Sequence, residues 1–154
     1  GFAYEDGSNY LIRFRDAVVK RGDDLNMKVS FMPSTGYGMA DVRLLLDSAF
    51  AQDPEITAIV CQTNATNVIN LLIALHERNL VVPQDISVMA ACTYGLQQLP
   101  QAVDEMPMEP NVVCSRAVDT MMEILEYRRH DVGAVELLPG KYVARGTMGP
   151  CNIL

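Results

Sequence analysis

Four cysteines, two histidines and nineteen acidic side chains are the groups in this 154-residue sequence that could make or break bonds. Cys92 is the most pointed of them, because it follows the apolar run Ile86–Ala91 in "VVPQDISVMAACTYG" and stands where a buried strand would end. A thiol nucleophile needs a base within hydrogen-bond reach. The candidates are His76, late in a helical segment, and His130, at a helix end, where an imidazolium suits the helix dipole. The pattern puts both at the edge away from Cys92. The four cysteines, Cys61, Cys92, Cys114 and Cys151, form no C-x-x-C pair, so no zinc or redox centre is expected. Cys61 and Cys92 lie in or beside apolar runs, as reduced thiols acting as small hydrophobes in a cytoplasmic protein. No G-x-S-x-G, P-loop or G-x-G-x-x-G is present. Asp23, Asp24, Glu105 and Glu109 read as solvated turn charges. These residues predict no enzyme, no metal and no cofactor.

Composition points the same way. The net charge is −7, which offers no basic stripe for a phosphate backbone, so this chain is not expected to read nucleic acid itself. Apolar residues make up 49%, as in an ordinary α/β protein. A chain of this length buries roughly 70% of its unfolded surface and needs no disulfide or metal to hold a core. No apolar run is long enough to span a membrane, and no leader is expected. The opening "GFAYEDG" reads as the second half of a strand, so the chain is expected to begin inside a larger protein.

The elements that must position Cys92 follow from periodicity. A short strand at Gly1–Tyr4 leads through Glu5-Asp6-Gly7 to a helix over Asn9–Arg21, with Leu11, Phe14, Ala17 and Val18 on one face and Gly22 as its stop. Met27–Met32 alternates and predicts a strand. A turn-rich loop precedes a helix over Met39–Gln52, whose inner face is Val42, Leu45, Leu46 and Ala49. Thr57–Gln62 is a continuous apolar run, which means burial on both faces of a parallel sheet. The helix over Asn64–Arg78 carries Val68, Leu71, Leu72 and Leu75 inward. A second stripe, Ile69 and Ile73, is turned about 110° away. That stripe is either a deeper groove of the same core or a subunit interface. Ile86–Ala91 is the next strand, followed by a helical turn near Leu96–Leu99, an extended piece over Gln101–Met106, a helix from Pro110 to Arg129, and extended structure over Val135–Thr147.

This alternation predicts an α/β fold: a doubly wound parallel sheet with helices on both faces and right-handed crossovers. Ligands on such sheets bind beyond the carboxyl ends of the strands. The candidate rim is therefore Glu5, Asp6, Ser34, Gln62, Thr63, Asn64, Cys92 and Thr93.

Several segments resemble the lactose/galactose-repressor family. "NYLIRFRDAVVKRG" is similar to its R-x-x-G-F-x-x-A-L helix. "TAIVCQTNATNVINLLIALHERNLVVPQDISVMAAC" is similar to its "tAI…aNDxxAxGxLxALxExGxxVPxDISVxGFD", with "VPQDISV" the most specific part. Pro110 with Ala117-Val118, and the closing "LLPGKYVARGT", resemble two further family patterns. The resemblance covers nearly the whole chain. It implies a bacterial regulator with a periplasmic-binding-protein-like effector domain of two lobes, a homodimer, and an N-terminal headpiece that contacts operator DNA. On that reading residues 1–100 form the C-terminal lobe, 101–134 return to the N-terminal lobe, and 135–154 are a closing strand and tail. The family's use of this region implies a dimer contact through Ile69, Ile73, Tyr94 and Leu96.

The resemblance also implies a small-molecule effector, a sugar or related metabolite. Three polar groups of this lobe grip the sugar in the family, and their positions here are Tyr10, Ala65 and Cys92; all three differ, while Asn64 matches. The two motif glycines are Arg13 and Ala90. A thiol is a weak donor and acceptor, and an unpaired buried hydroxyl costs about 1–3 kcal/mol. Cys92 and Ala65 thus argue against the usual bidentate grip on a pyranose. Three readings stay open: a flatter or more apolar effector stacked on Tyr10, loss of effector response with dimerisation retained, or a local offset that brings Arg13 or Arg15 to the cleft. The expected ligand set is Tyr10, Arg13, Gln62, Asn64, Cys92 and Thr93. An extracytoplasmic sugar-binding protein of a transporter, which shares this fold, is the alternative to a regulator.

Overall fold

The computed structural model describes residues 2–3, 9–33, 36, 38–91, 93, 103–107, 109–126, 138 and 140–150. Five strands and four helices follow one another as β1 (Phe2–Ala3), α1 (Asn9–Asp24), β2 (Met32–Pro33), α2 (Met39–Gln52), β3 (Ala58–Cys61), α3 (Ala65–Glu77), β4 (Ser87–Ala91), β5 (Asp104–Met106) and α4 (Pro110–Leu125). The strands lie side by side in the order β2-β1-β3-β4-β5, and every neighbouring pair is parallel. The register runs Ala58↔Ser87 through Cys61↔Ala90, then Met89↔Asp104 through Ala91↔Met106.

Handedness fixes the helices. The path from β1 to β2 runs one way along the sheet, and the paths β2 to β3 and β3 to β4 run the other. Right-handed crossovers therefore put α1 on one face and α2 with α3 on the opposite face. α2 and α3 do pack together. Arg43 of α2 holds Glu77 of α3 through two bonds of 2.9 and 2.6 Å, and Arg78 reaches Asp47.

The core sits under that pair. Val42, Leu46, Ile59, Cys61, Val68, Leu71, Ala74, Leu75, Ile86, Val88, Ala90 and Val103 form one buried cluster. β4 reads as a continuous apolar run because both its faces are covered, whereas β3, expected to be buried on both faces, is fully buried only on the side of Ile59 and Cys61, with Ala58 exposed and Val60 half-buried. Burying a Leu or Val side chain contributes about 1.5–3 kcal/mol, so the two inner stripes of α2 and α3 supply much of the stability of this region.

Three expectations need correction. α1 does not stop at Gly22. It runs on to Asp24, and the turn that ends it is made by Asn26 at φ 54°, with Met27 N–H donating to Gly22 O at 2.8 Å. Gly22 is there for closeness: a Cβ at this position would stand 2.2 Å from Val29 Cγ2. Met27–Ser30 is not strand, and β2 begins only at Met32. An alternating pattern without a paired neighbour does not make a ladder. Glu105 is not a solvated turn charge. It is buried in β5, where Arg145 Nη2 meets its Oε1 at 3.1 Å. The helical turn expected at Leu96–Leu99 and the ends expected at Gly1, Tyr4 and Arg129 lie outside the described residues.

The closing segment is built into the sheet. Val143 pairs antiparallel with Glu105. Further on, Val88 N–H donates to Thr147 O at 2.9 Å, and Ser87 Oγ accepts from Gly149 N–H at 3.1 Å. The buried Asp104 carboxylate accepts main-chain N–H bonds from Arg145, Gly146 and Met148. Burial alone would raise its pKa, but those donors outweigh it and hold the carboxyl below the usual range.

α4 differs from the other helices in what it covers. None of its residues is buried. Val112, Val113, Val118, Met121, Met122 and Leu125 are all exposed, while the polar pair Arg116–Glu123, bonded at 2.9 Å, is half-covered. The less exposed positions of the helix are Arg116, Thr120, Glu123 and Ile124, and an apolar stripe is left exposed.

Candidate functional site

A sheet ordered 2-1-3-4-5 changes winding direction between β1 and β3, and the crevice beyond their carboxyl ends is where ligands sit on such folds. The described residues at that crevice come from the β3–α3 junction and from the end of β4.

The β3–α3 junction is Gln62, Thr63 and Asn64. Asn64 is the N-cap of α3: its Oδ1 accepts from Asn67 N–H at 2.9 Å. Asn67 is buried in the first turn of the helix, and its Nδ2 donates to Thr63 Oγ1 at 3.0 Å. These bonds fix the loop from Thr63 to Asn67 without help from another element.

Gln62 is different. It is 7% exposed, and neither Oε1 nor Nε2 has a hydrogen-bond partner. Asn67 Oδ1 is likewise buried and unpaired. Most buried side-chain polar atoms in folded proteins find a partner, so three such atoms at one junction call for an explanation. At the end of β4, Thr93 is buried, and its hydroxyl reaches Ala91 O only at 3.4 Å.

The expected ligand residues fall into three groups. Gln62, Asn64 and Thr93 come to the carboxyl edge of adjacent strands, with Asn64 committed to capping. Arg13 is exposed on α1. Tyr10 lies in α1, but its side chain, like all of Cys92, Glu5, Asp6 and Ser34, lies outside the described residues. Of the expected dimer residues, Ile69 is half-buried and Ile73 is exposed on the outer side of α3, while Tyr94 and Leu96 lie outside the described residues. Sequence reasoning missed Asn67, which sits one turn into a helix where Asn usually faces water. It also missed Asp104, whose partners lie more than forty residues away in the chain.

Among the described residues no histidine stands beside a cysteine thiol. Burial pushes the Cys61 thiol up to about 12, so it stays protonated and inert at neutral pH. His76 is exposed in the last turn of α3, at the far end from the crevice. Among the described residues no three His, Cys, Asp or Glu side chains gather as a metal site. No described helix is long and apolar enough to cross a membrane.

A profile of the periplasmic-binding-protein-like domain matches residues 6–148. The chain belongs to the periplasmic-binding-protein-like domain family. Solved structures with this domain superpose on the chain. A LacI family transcriptional regulator from Arthrobacter sp. FB24, in complex with lactose, is 22% identical with a TM-score of 0.71; the match covers 96% of this chain and 56% of that one. A LacI family regulator from Bifidobacterium animalis subsp. lactis reaches a TM-score of 0.77 at 16% identity, over 97% and 54%. A PurR family regulator from Vibrio parahaemolyticus gives 0.70 at 15% identity, over 97% and 55%. The chain spans about half the length of these structures. A comparison with curated protein sequences finds no match. The periplasmic-binding-protein-like fold thus accounts for the strand order, and its switch point coincides with the Gln62–Asn67 junction.

Proposed function

We propose that this chain is the C-terminal part of the effector-binding and dimerisation module of a LacI-type transcription regulator working in the cytoplasm. The observation that carries this reading is a polar, uncharged set of side chains, Gln62, Thr63, Asn67 and Thr93, collected at the switch point of a sheet whose structural neighbours are regulators. The effector is a small molecule held at that edge, and one neighbour carries lactose. The site departs from a usual sugar grip, since Tyr10, Ala65 and Cys92 replace two carboxylates and a guanidinium that the repressor resemblance leads one to expect.

The outward apolar stripe of α4 supports the division of the chain. A face of Met121, Met122, Val118 and Leu125 is costly in water, and a second lobe covering it would explain why these apolar side chains are exposed in this chain. Residues 101–134 are then the return to that lobe. The homodimer uses the outer side of α3, around Ile69 and Ile73. Operator DNA is contacted through a headpiece beyond this chain, because a net charge of −7 gives the chain itself no phosphate-binding surface. Effector and dimer are coupled through the inter-lobe angle, with coupling free energies of about 1–3 kcal/mol typical of such proteins.

A thermal-shift screen of sugars, nucleosides and small acids on the polypeptide as its cell makes it tests the reading, followed by operator binding with and without the hit. A ligand that raises the melting temperature and changes operator affinity is the expected result. A polypeptide that binds ligand but no DNA would overturn the regulator and favour a transport protein.

A further inference from the structure

We infer that the Glu105–Arg145 ion pair is a clamp that fixes the angle at which residues 107–142 leave the sheet. The inference rests on the reading of 101–134 as the return to a second lobe, and adds what holds that lobe in position.

The chain departs from the sheet after β5 and rejoins it at Val143. Departure and return lie side by side: Glu105 N–H donates to Val143 O at 3.0 Å, and Val143 N–H donates to Glu105 O at 2.8 Å. The two paths are still close one residue further out on β5, since a Cβ on Gly140 would stand 2.9 Å from Met106 Cε. α4, the helix between them, buries none of its residues. Among the described residues the segment is therefore carried by a narrow two-stranded neck rather than by packing. A single antiparallel bridge exchanges two main-chain bonds and leaves rotation about the neck unopposed. Resistance to that rotation has to come from side chains.

Arg145 supplies it, because β5 grips this residue twice. The Asp104 carboxylate accepts its main-chain N–H, and the Glu105 carboxylate accepts from its Nη2 at 3.1 Å. The Glu105 side chain is 6% exposed and that of Arg145 38%. A carboxylate so nearly removed from water needs its cation, since a buried charge that loses its partner is strongly disfavoured. An arginine on the returning path tied to an acid on the departing path resists any motion that rolls one over the other.

The test is hydrogen exchange of the polypeptide as its cell makes it, read at single amides by mass spectrometry with electron-transfer fragmentation. Parent, Glu105→Gln, Arg145→Gln and the double variant are compared. Each single variant should exchange the Glu105 and Val143 amides at least ten-fold faster, with no further gain in the double variant and no change at Leu46 and Leu71 in the helices of the core. A smaller rise in either folded single variant overturns the inference. So does an equal rise at Leu46 and Leu71, which would mean lost stability throughout, or a double variant ten-fold faster than both singles. Small-angle scattering from the same samples reads the angle, and Glu105→Gln should change the distance distribution. Two lobes with identical profiles in parent and variant overturn the clamp alone. A parent that scatters as a single lobe overturns the second-lobe reading instead, whichever way exchange falls.

Discussion

Thr147 and Asp104, forty-three positions apart, hold each other in place. The Thr147 hydroxyl accepts from Asp104 N–H at 2.8 Å and donates to Val88 O at 2.8 Å, while the Asp104 carboxylate accepts from the main chain on both sides of Thr147. One residue of the closing segment therefore joins two neighbouring strands, and one buried charge secures the segment that brings it.

Removing that charge should loosen the segment. Asp104→Ala leaves three main-chain donors unpaired and is expected to lower stability by about 3 kcal/mol, in the range seen for broken buried networks. The pH dependence has a definite sign. The folded carboxyl lies below its ordinary value, so its contribution is complete above the unfolded value near 4 and is lost as pH falls through the folded value. Urea unfolding followed by circular dichroism between pH 7 and pH 2.5 should show this loss in the parent and its absence in Asp104→Ala. Parallel curves would show that the charge does not hold the segment.

The two described cysteines should react very differently. Cys61 is fully buried with its thiol pushed up to about 12, whereas Cys114 is exposed on α4. In this chain alone, with no second lobe over α4, iodoacetamide at pH 8, read by peptide mass spectrometry, should label Cys114 within minutes and Cys61 only on unfolding. Rapid native labelling of Cys61 would mean that the β3 core opens far more readily than its packing implies.

Gly22→Ala reverses a familiar expectation. Alanine in a helix interior is ordinarily favoured over glycine by roughly 0.5–1 kcal/mol. Here the new methyl would meet Val29 Cγ2 at 2.2 Å, so the substitution should lower the melting temperature. Gly22→Ala combined with Val29→Ala should recover part of the loss. A single variant that melts higher than the parent would show that the chain after α1 is free to move aside.

Ile73 and Leu71 lie two positions apart on α3 and should respond in opposite ways. Ile73 is 45% exposed and Leu71 1%. Ile73→Lys should dissociate the proposed dimer with little change in monomer stability. Leu71→Ala should destabilise the fold by about 2–5 kcal/mol. Analytical ultracentrifugation with chemical unfolding separates the two. An Ile73→Lys protein that sediments like the parent removes the outer side of α3 from the interface.

Much of the scaffold was legible in the sequence because its signals are local. Met39–Gln52 is found with the bounds its periodicity predicted, and the continuous run around Ile59 announced a strand, although only its Ile59 and Cys61 face is fully buried. What stayed hidden depended on contacts distant along the chain. The reason for Gly22 is Val29, and Glu105 is buried only because Arg145 returns to it. The crevice was found from topology. Within it, Asn67 was missed because a helical asparagine carries no mark of burial until the neighbouring strand is placed.

Ribosomal synthesis sets the order in which these pieces arrive. β5 is synthesised before Gly146 and Thr147, so its aspartate must stay hydrated, or be shielded by other groups, until they arrive. The β5 edge of the sheet is consequently completed only when the stretch around Gly146 and Thr147 has joined it.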